Sequence, residues 1–281
     1  MKTKYICFEV SSVCNMNCKF CFADWRNIAE QLPLKKVKSI IKFLKEYGLE
    51  AINLTGGDPL MRDDIIEIAR YCKSLGLITI ISTSGILLPQ KQEVLNYIDA
   101  INLPLDSFNH NIHNEMRPNK LENHHGHILN LIEFISSNYK NVEIKINTMV
   151  GKTNIEDVIN IPKLFSNKVD KWKLSKFFAS GYGANFKDKY EITTEEYNNL
   201  LKKAIFIYGE NLLTKDEYEQ NASYVFIDSK GVLNYNHNGE IKKISDIKEI
   251  DKLDNIDDRA WKLDIVYNKG GKNESQNLWY K

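Results

Sequence analysis

The run Val142-Glu143-Ile144-Lys145-Ile146-Asn147-Thr148 alternates strictly between apolar and polar residues. Successive side chains of a strand point to opposite faces, so Val142, Ile144 and Ile146 share one face and Glu143, Lys145 and Asn147 the other. The apolar face calls for a covering layer, and a buried Lys or Asn calls for a ligand, a neighbour or water. This is the pattern of a barrel wall whose apolar side meets helices and whose polar side lines an interior. The same alternation turns Asn53, Asn102, Pro104, Asp106 and Lys173 inward and sets Ile101, Leu103, Leu105, Trp172 and Leu174 against helices.

Outward from that strand, a short apolar run followed by an amphipathic helical period recurs six times, the mark of successive β-α units. Strands are expected at 5–10, 51–54, 78–82, 101–105, 142–149 and 172–178. Helices are expected at 34–47, 63–75, 90–97, 125–137, 155–165 and 193–207. Such an α/β chain folds as an open wound sheet or a barrel. Beyond residue 210 the pattern changes. Residues 224–228, a Ser229-Lys230-Gly231 turn and residues 232–235 read as a β-hairpin, and the polar stretch 268–281 as a frayed tail.

Of 281 residues, 38 are Lys or Arg and 37 Asp or Glu, a net charge of +1 that advertises no surface for a nucleic-acid polymer. No apolar stretch approaches a membrane span. Five cysteines is an odd number, and no charged-then-apolar signal segment opens the chain, so free thiols in a reducing cytoplasm are expected.

Three of those cysteines carry the chemistry. Cys14, Cys18 and Cys21, in Cys14-Asn15-Met16-Asn17-Cys18-Lys19-Phe20-Cys21, are spaced to hold three corners of an iron–sulfur cube and leave its fourth iron open. A closed zinc site wants four ligands. Cys7 and Cys72 lie in apolar stretches and read as small core residues. The first histidine is His110, and the histidines at 110, 113, 124, 125 and 127 read as solvated loop and helix positions.

Behind the second strand comes Thr55-Gly56-Gly57-Asp58-Pro59-Leu60, whose glycines allow a sharp turn and a close backbone approach. Together with the cysteine run, this resembles the radical S-adenosylmethionine (radical SAM) enzymes. The resemblance implies a partial (β/α)6 TIM-like barrel over residues 1–207, a C-terminal extension over 208–281 with a small β-hairpin, and two cofactors. These are a [4Fe-4S] cluster on Cys14, Cys18 and Cys21, and S-adenosyl-L-methionine on the open iron.

Further cofactor contacts implied are Gly56, Gly57, Asp58 and Pro59 at the methionine amino group, with Asp58 where relatives more often carry Glu. Phe20 falls near the adenine, and Ser82 and Ser84 lie in the turn ending strand three. Asp106 and Ser107 take the ribose, Arg117 the carboxylate, and Asn147 a further contact. The activity implied is reductive cleavage to a 5'-deoxyadenosyl radical that abstracts hydrogen from a substrate, fed by an electron donor such as flavodoxin or ferredoxin. With no cysteine after Cys72, one cluster per chain is expected.

Within the superfamily, Phe20-Cys21-Phe22-Ala23, Lys145-Ile146-Asn147-Thr148 and Trp172-Lys173 resemble the viperin group and the GTP cyclases of molybdenum-cofactor synthesis. A small-molecule substrate, a nucleotide among the candidates, would then meet Asn53, Lys145 and Lys173. Ala51 stands where viperins carry a phosphate-binding lysine. Modification of a ribosomally made peptide is the alternative, and an inactive cluster-binding or zinc-binding barrel the non-enzymatic one.

Overall fold

The computed structural model describes residues 5–23, 31–215, 225–237 and 240–244; the expected tail at 268–281 and Tyr224 of the hairpin lie outside them. All six expected strands form: β1 (Tyr5–Ser11), β2 (Ala51–Gly56), β3 (Ile78–Ser82), β4 (Ala100–Pro104), β5 (Glu143–Val150) and β6 (Lys171–Lys176). The helices α1 (Leu34–Glu46), α2 (Ile65–Ser74), α4 (His124–Asn138) and α6 (Thr194–Tyr208) also fall where the period places them. In α1, Val37, Ile40, Ile41 and Leu44 are buried, the i, i+3, i+4, i+7 stripe of a helix lying on a sheet. A capping box between Thr193 and Glu196 opens α6.

Two expected helices come out as 3-10 turns instead, Pro89–Tyr97 and Val158–Leu164. Lys91 breaks the first with a non-helical backbone, and Pro162 sits inside the second, where it removes a helical N–H. Two short helices, α3 (His110–Met116) and α5 (Lys187–Tyr190), carry too few residues for a visible period.

The sheet is wider than six strands. β7 (Leu212–Lys215) pairs in parallel with β6, and the hairpin β8 (Val225–Ile227) and β9 (Leu233–His237) joins the other edge, β8 running parallel to β1. With β10 (Glu240–Ile244), the order is β10-β9-β8-β1-β2-β3-β4-β5-β6-β7, parallel from β8 through β7 and open at both ends. The hairpin therefore extends the wall of the barrel.

Alternation along the strands sorts the two faces as expected. Ile6, Phe8, Ile101, Leu103, Ile144, Ile146, Trp172 and Leu174 join one apolar core with the helices. Among the described residues no helix layer covers the opposite face. Yet Glu9, Asn53, Asn102, Lys145 and Lys173 on it are only 3%, 7%, 4%, 4% and 6% exposed, so the sheet curls round its own interior. A small apolar cluster of Tyr5, Cys7, Ala51, Ile80 and Ala100 closes that interior toward the strand N-termini and forms its floor. Polar residues lie above it, toward the strand C-termini, where barrels of this kind place their sites.

Candidate active site

The cysteine loop leaves β1 and is gripped from three sides. Ser11 Oγ accepts the Val13 N–H at 3.2 Å and turns the chain out of the strand. The Gly57 N–H then donates to the Ser11 carbonyl at 2.7 Å and the Asp58 N–H to the Val13 carbonyl at 2.8 Å. This approach is why two glycines are needed: a Cβ on Gly56, at φ +130°, would lie 2.0 Å from the Ser11 oxygen, and one on Gly57 2.4 Å from that of Val13. On the second side the Asn17 N–H donates to Pro118 O (2.8 Å) and the Lys19 N–H to Met116 O (3.3 Å). On the third, the Gly183 N–H donates to Cys21 O at 2.8 Å.

Cys14, Cys18 and Cys21 form no disulfide and are partly buried within this grip. Cys14 Sγ accepts the Met16 N–H at 3.4 Å. Burial pushes its thiol up to about 12, and negative charge on Asp58, Cys18 and Cys21 adds to the effect. Thiols that hinder one another's ionisation need a strong positive counter-charge to become thiolates, and bound metal supplies it. Among the described residues no group of three or more His, Cys, Asp or Glu converges on a single ion. A cube makes no such demand, because each thiolate binds a different iron. The donor set thus fits an iron–sulfur cube.

Several side chains expected at the cofactor are held by the protein. The Asp58 carboxylate, wholly buried, accepts the Leu60 N–H (2.9 Å), the Thr83 hydroxyl (2.8 Å) and the Ser84 N–H (2.9 Å), and the Ser84 hydroxyl as well. Burial still pushes its pKa up against those donors. Asp58 therefore ties the Gly-Gly turn to the end of β3, and what that turn offers a ligand is backbone. Asp106, expected at the ribose, accepts the Met149 N–H at 2.9 Å and pairs with Arg117 through both oxygens. Arg117 also donates to Cys18 Sγ at 3.5 Å, and its guanidinium lies 4.8 Å from the centroid of the Phe20 ring. The Ser107 hydroxyl donates to Asp157 at 2.6 Å.

Other expected residues face the interior. The Ser82 hydroxyl donates to Asn53 Oδ1 at 2.9 Å and accepts from Asn102 Nδ2 at 2.7 Å, a chain across β2, β3 and β4. Asn147 Oδ1, Asn102 Oδ1 and Asn15 Nδ2 are buried with no partner in the protein, as are the Tyr190 hydroxyl and Glu9 Oε2. Buried polar atoms are nearly always satisfied, and those of Glu9, Asn102 and Asn147 lie at inward positions of β1, β4 and β5, open to partners that a ligand can supply; His125 Nε2, Glu143 Oε2, Thr153 Oγ1 and Asp157 Oδ1 are buried without a partner as well.

Three of the histidines overturn their reading as solvated positions, while His110 is exposed as expected and His127 half-buried. His113 and His124 are fully buried and His125 nearly so. The Asp106 N–H donates to His113 Nδ1 (3.1 Å), His113 Nε2 meets His124 Nδ1 (2.8 Å), and His124 Nε2 meets the Ser84 carbonyl (2.9 Å). Only one proton order satisfies this chain: an N–H on Nε2 of each ring, both rings neutral. Burial holds His113 well below the ordinary histidine range and lowers His124 to about 4. The α3 and α4 histidines thus form a strut between the loops after β4 and β3.

Comparison with known proteins fixes the family. The sequence model of the radical SAM superfamily matches residues 8–165, from β1 into the 3-10 turn after β5. The chain belongs to the radical SAM superfamily. This radical SAM enzyme accordingly works with a [4Fe-4S] cluster and S-adenosylmethionine. It is 28% identical over 278 residues to an S-adenosylmethionine-dependent nucleotide dehydratase of Flammeovirga pacifica, covering 94% of this chain and 93% of that protein. An AdoMet-dependent heme synthase of Oleidesulfovibrio alaskensis is 30% identical over 206 residues, 70% of this chain and 51% of that one. SuiB of Streptococcus suis, solved with its precursor peptide SuiA, superposes with a TM-score of 0.70 at 19% identity, over 92% of this chain and 65% of SuiB. No helix of the described residues is long and apolar enough to cross a membrane.

The sequence missed Glu9, Tyr190, Asn15 and the histidine strut as parts of this site. Glu9 had a signal, a carboxylate at an inward position of β1. Tyr190 had none, since its place at 6.1 Å from the Phe20 ring depends on a tertiary contact.

Proposed function

We propose that this radical SAM enzyme acts on a nucleotide inside its barrel. The observation that carries the reading is extent of likeness. Of the three relatives compared, only the nucleotide dehydratase is matched along nearly its whole length, 93%, against 51% for the heme synthase and 65% for SuiB. The two inward lysines support it. Lys145 and Lys173 lie on adjacent strands, where ammonium groups suit phosphate oxygens as point charges. Ala51 belongs to the apolar floor, so in this chain phosphate recognition rests on the β5 and β6 side.

Cys14, Cys18 and Cys21 hold the cluster. Backbone groups of Gly56, Gly57 and Pro59, with Ser84 and Asn147, receive S-adenosylmethionine, and Asn53 and Ser82 sit beneath as part of the substrate wall. When bound, the two cofactors supply a 5'-deoxyadenosyl radical able to take hydrogen from an unactivated C–H bond. The protein's own part is placement and exclusion. Asp58, the Asp106–Arg117 pair and Ser107 fix the loops, Phe20 with Tyr190 forms an apolar edge, and the buried interior keeps water from a reactive species.

The test is anaerobic reconstitution with iron and sulfide, reduction with S-adenosylmethionine, and quantitation of 5'-deoxyadenosine with and without each nucleoside triphosphate. About four irons per chain are expected in the wild type and loss of cluster and product in Cys18→Ala. Stimulation by a nucleotide, with a product lighter by one water, supports the reading. Stimulation by peptides and by no nucleotide overturns it.

A further inference from the structure

Glu9 stands on the inward face of β1, between the floor residue Cys7 and the cysteine loop, and is 3% exposed. Its Oε2 has no partner in the protein. The other acids near the interior are placed differently. Asp58 and Asp106 are occupied by backbone and hydroxyl donors and by Arg117. Glu143 also faces inward, but in register with the floor residue Ala100 and so at the closed end of the barrel. Among the described residues, Glu9 is thus the carboxyl that lies above the floor with an open oxygen.

The groups packed about Glu9 keep it neutral. Cys7 lies below it on its own strand, Asn53 and Thr55 beside it on β2, and Asp228 beyond the end of β8. Asp228 accepts the Lys230 N–H (3.0 Å), the Val232 N–H (2.9 Å) and Asn234 Nδ2 (3.3 Å), and so stays an acceptor held by its own turn. Among the described residues, Asp228 is the one charge that acts on Glu9, and it is of the same sign. Burial and that charge push the Glu9 carboxyl up to about 8, so it holds a proton at neutral pH and gives it up readily.

Loss of water from a nucleotide demands such a group. Removal of hydrogen from a carbon next to one that bears a hydroxyl leaves a carbon radical, and hydroxide is too basic to depart from it unaided. We propose that Glu9 is the general acid of the dehydration, donating its proton to the departing hydroxyl of the substrate radical. The inference rests on the nucleotide reading above. The C–O bond breaks with its electron pair going to oxygen, which takes the Glu9 proton and leaves as water. The nucleotide is left as an alkene radical cation, and one electron from the low-potential one-electron donor that also feeds the cluster makes it a neutral alkene. A hydrogen atom and a hydroxide have then left and one electron has entered, so the product is lighter by one water with its charge unchanged. The Glu9 carboxylate regains its proton from solvent between turnovers.

The experiment uses anaerobic holoenzyme, reconstituted with iron and sulfide and reduced in the presence of S-adenosylmethionine. ATP, CTP, GTP and UTP are supplied in turn, and 5'-deoxyadenosine and dehydrated nucleotide are quantified together for the wild type, Glu9→Gln and Glu9→Asp. Gln keeps the length and polarity of the side chain and has no acidic proton. In Glu9→Gln the dehydrated nucleotide formed per 5'-deoxyadenosine should fall by roughly 10²–10⁴. Freeze-quenched samples should then show an organic radical by electron paramagnetic resonance that the wild type does not accumulate, and calorimetry without reductant should show the nucleotide still bound. Glu9→Asp, which keeps an acidic proton, should recover part of the yield. In the wild type the yield per 5'-deoxyadenosine should fall as pH rises through about 8, where the carboxyl ionises.

An undiminished share of dehydrated nucleotide in Glu9→Gln, or loss of both products in step, overturns the proposal and leaves the nucleotide reading standing. If no nucleotide raises 5'-deoxyadenosine formation by the wild type, both are overturned. Should Glu9→Gln fail to take up iron, the wild-type pH profile decides alone, and a yield that stays flat through pH 8 overturns the proposal.

Discussion

Replacing Asp58 by Ala is the sharpest test of the claim that this carboxylate holds loops together. Four donors converge on its two oxygens, from Leu60, Thr83 and Ser84. In Asp58→Ala the Thr83 and Ser84 hydroxyls can rotate toward other acceptors, but the Leu60 and Ser84 N–H groups are fixed by the backbone. Each buried N–H left unpaired costs about 1–3 kcal/mol, so the pair costs about 4. Relief of the carboxylate's own burial, which raises its pKa, offsets part of this and leaves about 3 kcal/mol. For a chain of this size that corresponds to a fall in Tm of roughly 6–12 °C. The assay is anaerobic thermal unfolding followed by circular dichroism, with iron content measured on the same samples. The Gly-Gly turn docks on the cysteine loop, so iron uptake should fall together with Tm. A variant melting within about 1 °C of the wild type, with full iron content, would refute the reasoning.

Gly57→Ala puts a Cβ 2.4 Å from the Val13 oxygen, a backbone atom that can move only with the cysteine loop; iron bound after reconstitution should drop well below the wild-type value. Glu143→Gln tests an acid raised to about 7 by burial and by the nearby Asp170 and Asp99. Unfolded, it ionises near the ordinary carboxylate pKa, so its destabilisation is absent below about pH 4.5, develops as pH rises, and is complete above 7. The variant should be more stable by about 1–2 kcal/mol at pH 8 and indistinguishable at pH 4.5, read by urea unfolding at the two pH values. His124→Phe leaves the Ser84 carbonyl and the His113 N–H unpaired and should cost about 3 kcal/mol at pH 7.5. Because the folded pKa of His124 lies near 4, the wild type loses stability as pH falls from about 6.5 toward 4, and the variant should lose less over that window.

The barrel was legible because its strands obey a period of two on a surface buried on both sides, and Val142 to Thr148 show that period without interruption. The same rule turned Lys145, Asn147 and Lys173 inward correctly. β7 was not legible, since Leu212-Leu213-Thr214-Lys215 is too short to separate from the end of a helix. Nor was the joining of the hairpin to β1, because register between distant strands depends on tertiary contact. In the site, motif position gave the neighbourhood of Asp106 and Arg117 but not the bond between them. Sequence places two charged residues on adjoining loops, but their pairing with each other follows from distance and burial. The histidines failed for a related reason: spacing on α3 and α4 says nothing of how the two helices pack.

The strut of His113 and His124 gives those pairings a shared logic. The loop after β3 is anchored through Ser84, which receives Asp58 from the Gly-Gly turn on one side and His124 on the other. The loop after β4 is anchored through Asp106, whose N–H meets His113 and whose carboxylate meets Arg117. Arg117 reaches Cys18, and the Gly-Gly turn reaches Ser11 and Val13 before Cys14. The two ends of the cysteine loop are thus joined by one closed circuit of hydrogen bonds through the ends of β2, β3 and β4. Neutral imidazoles suit that circuit because each ring offers one donor and one acceptor in line, which neither a protonated histidine nor a carboxylate can do. Loops tend to be the mobile parts of a fold. Here the loops that carry the cysteines and the Gly-Gly turn are held by buried side chains, an arrangement that leaves a bound group little ordering to do.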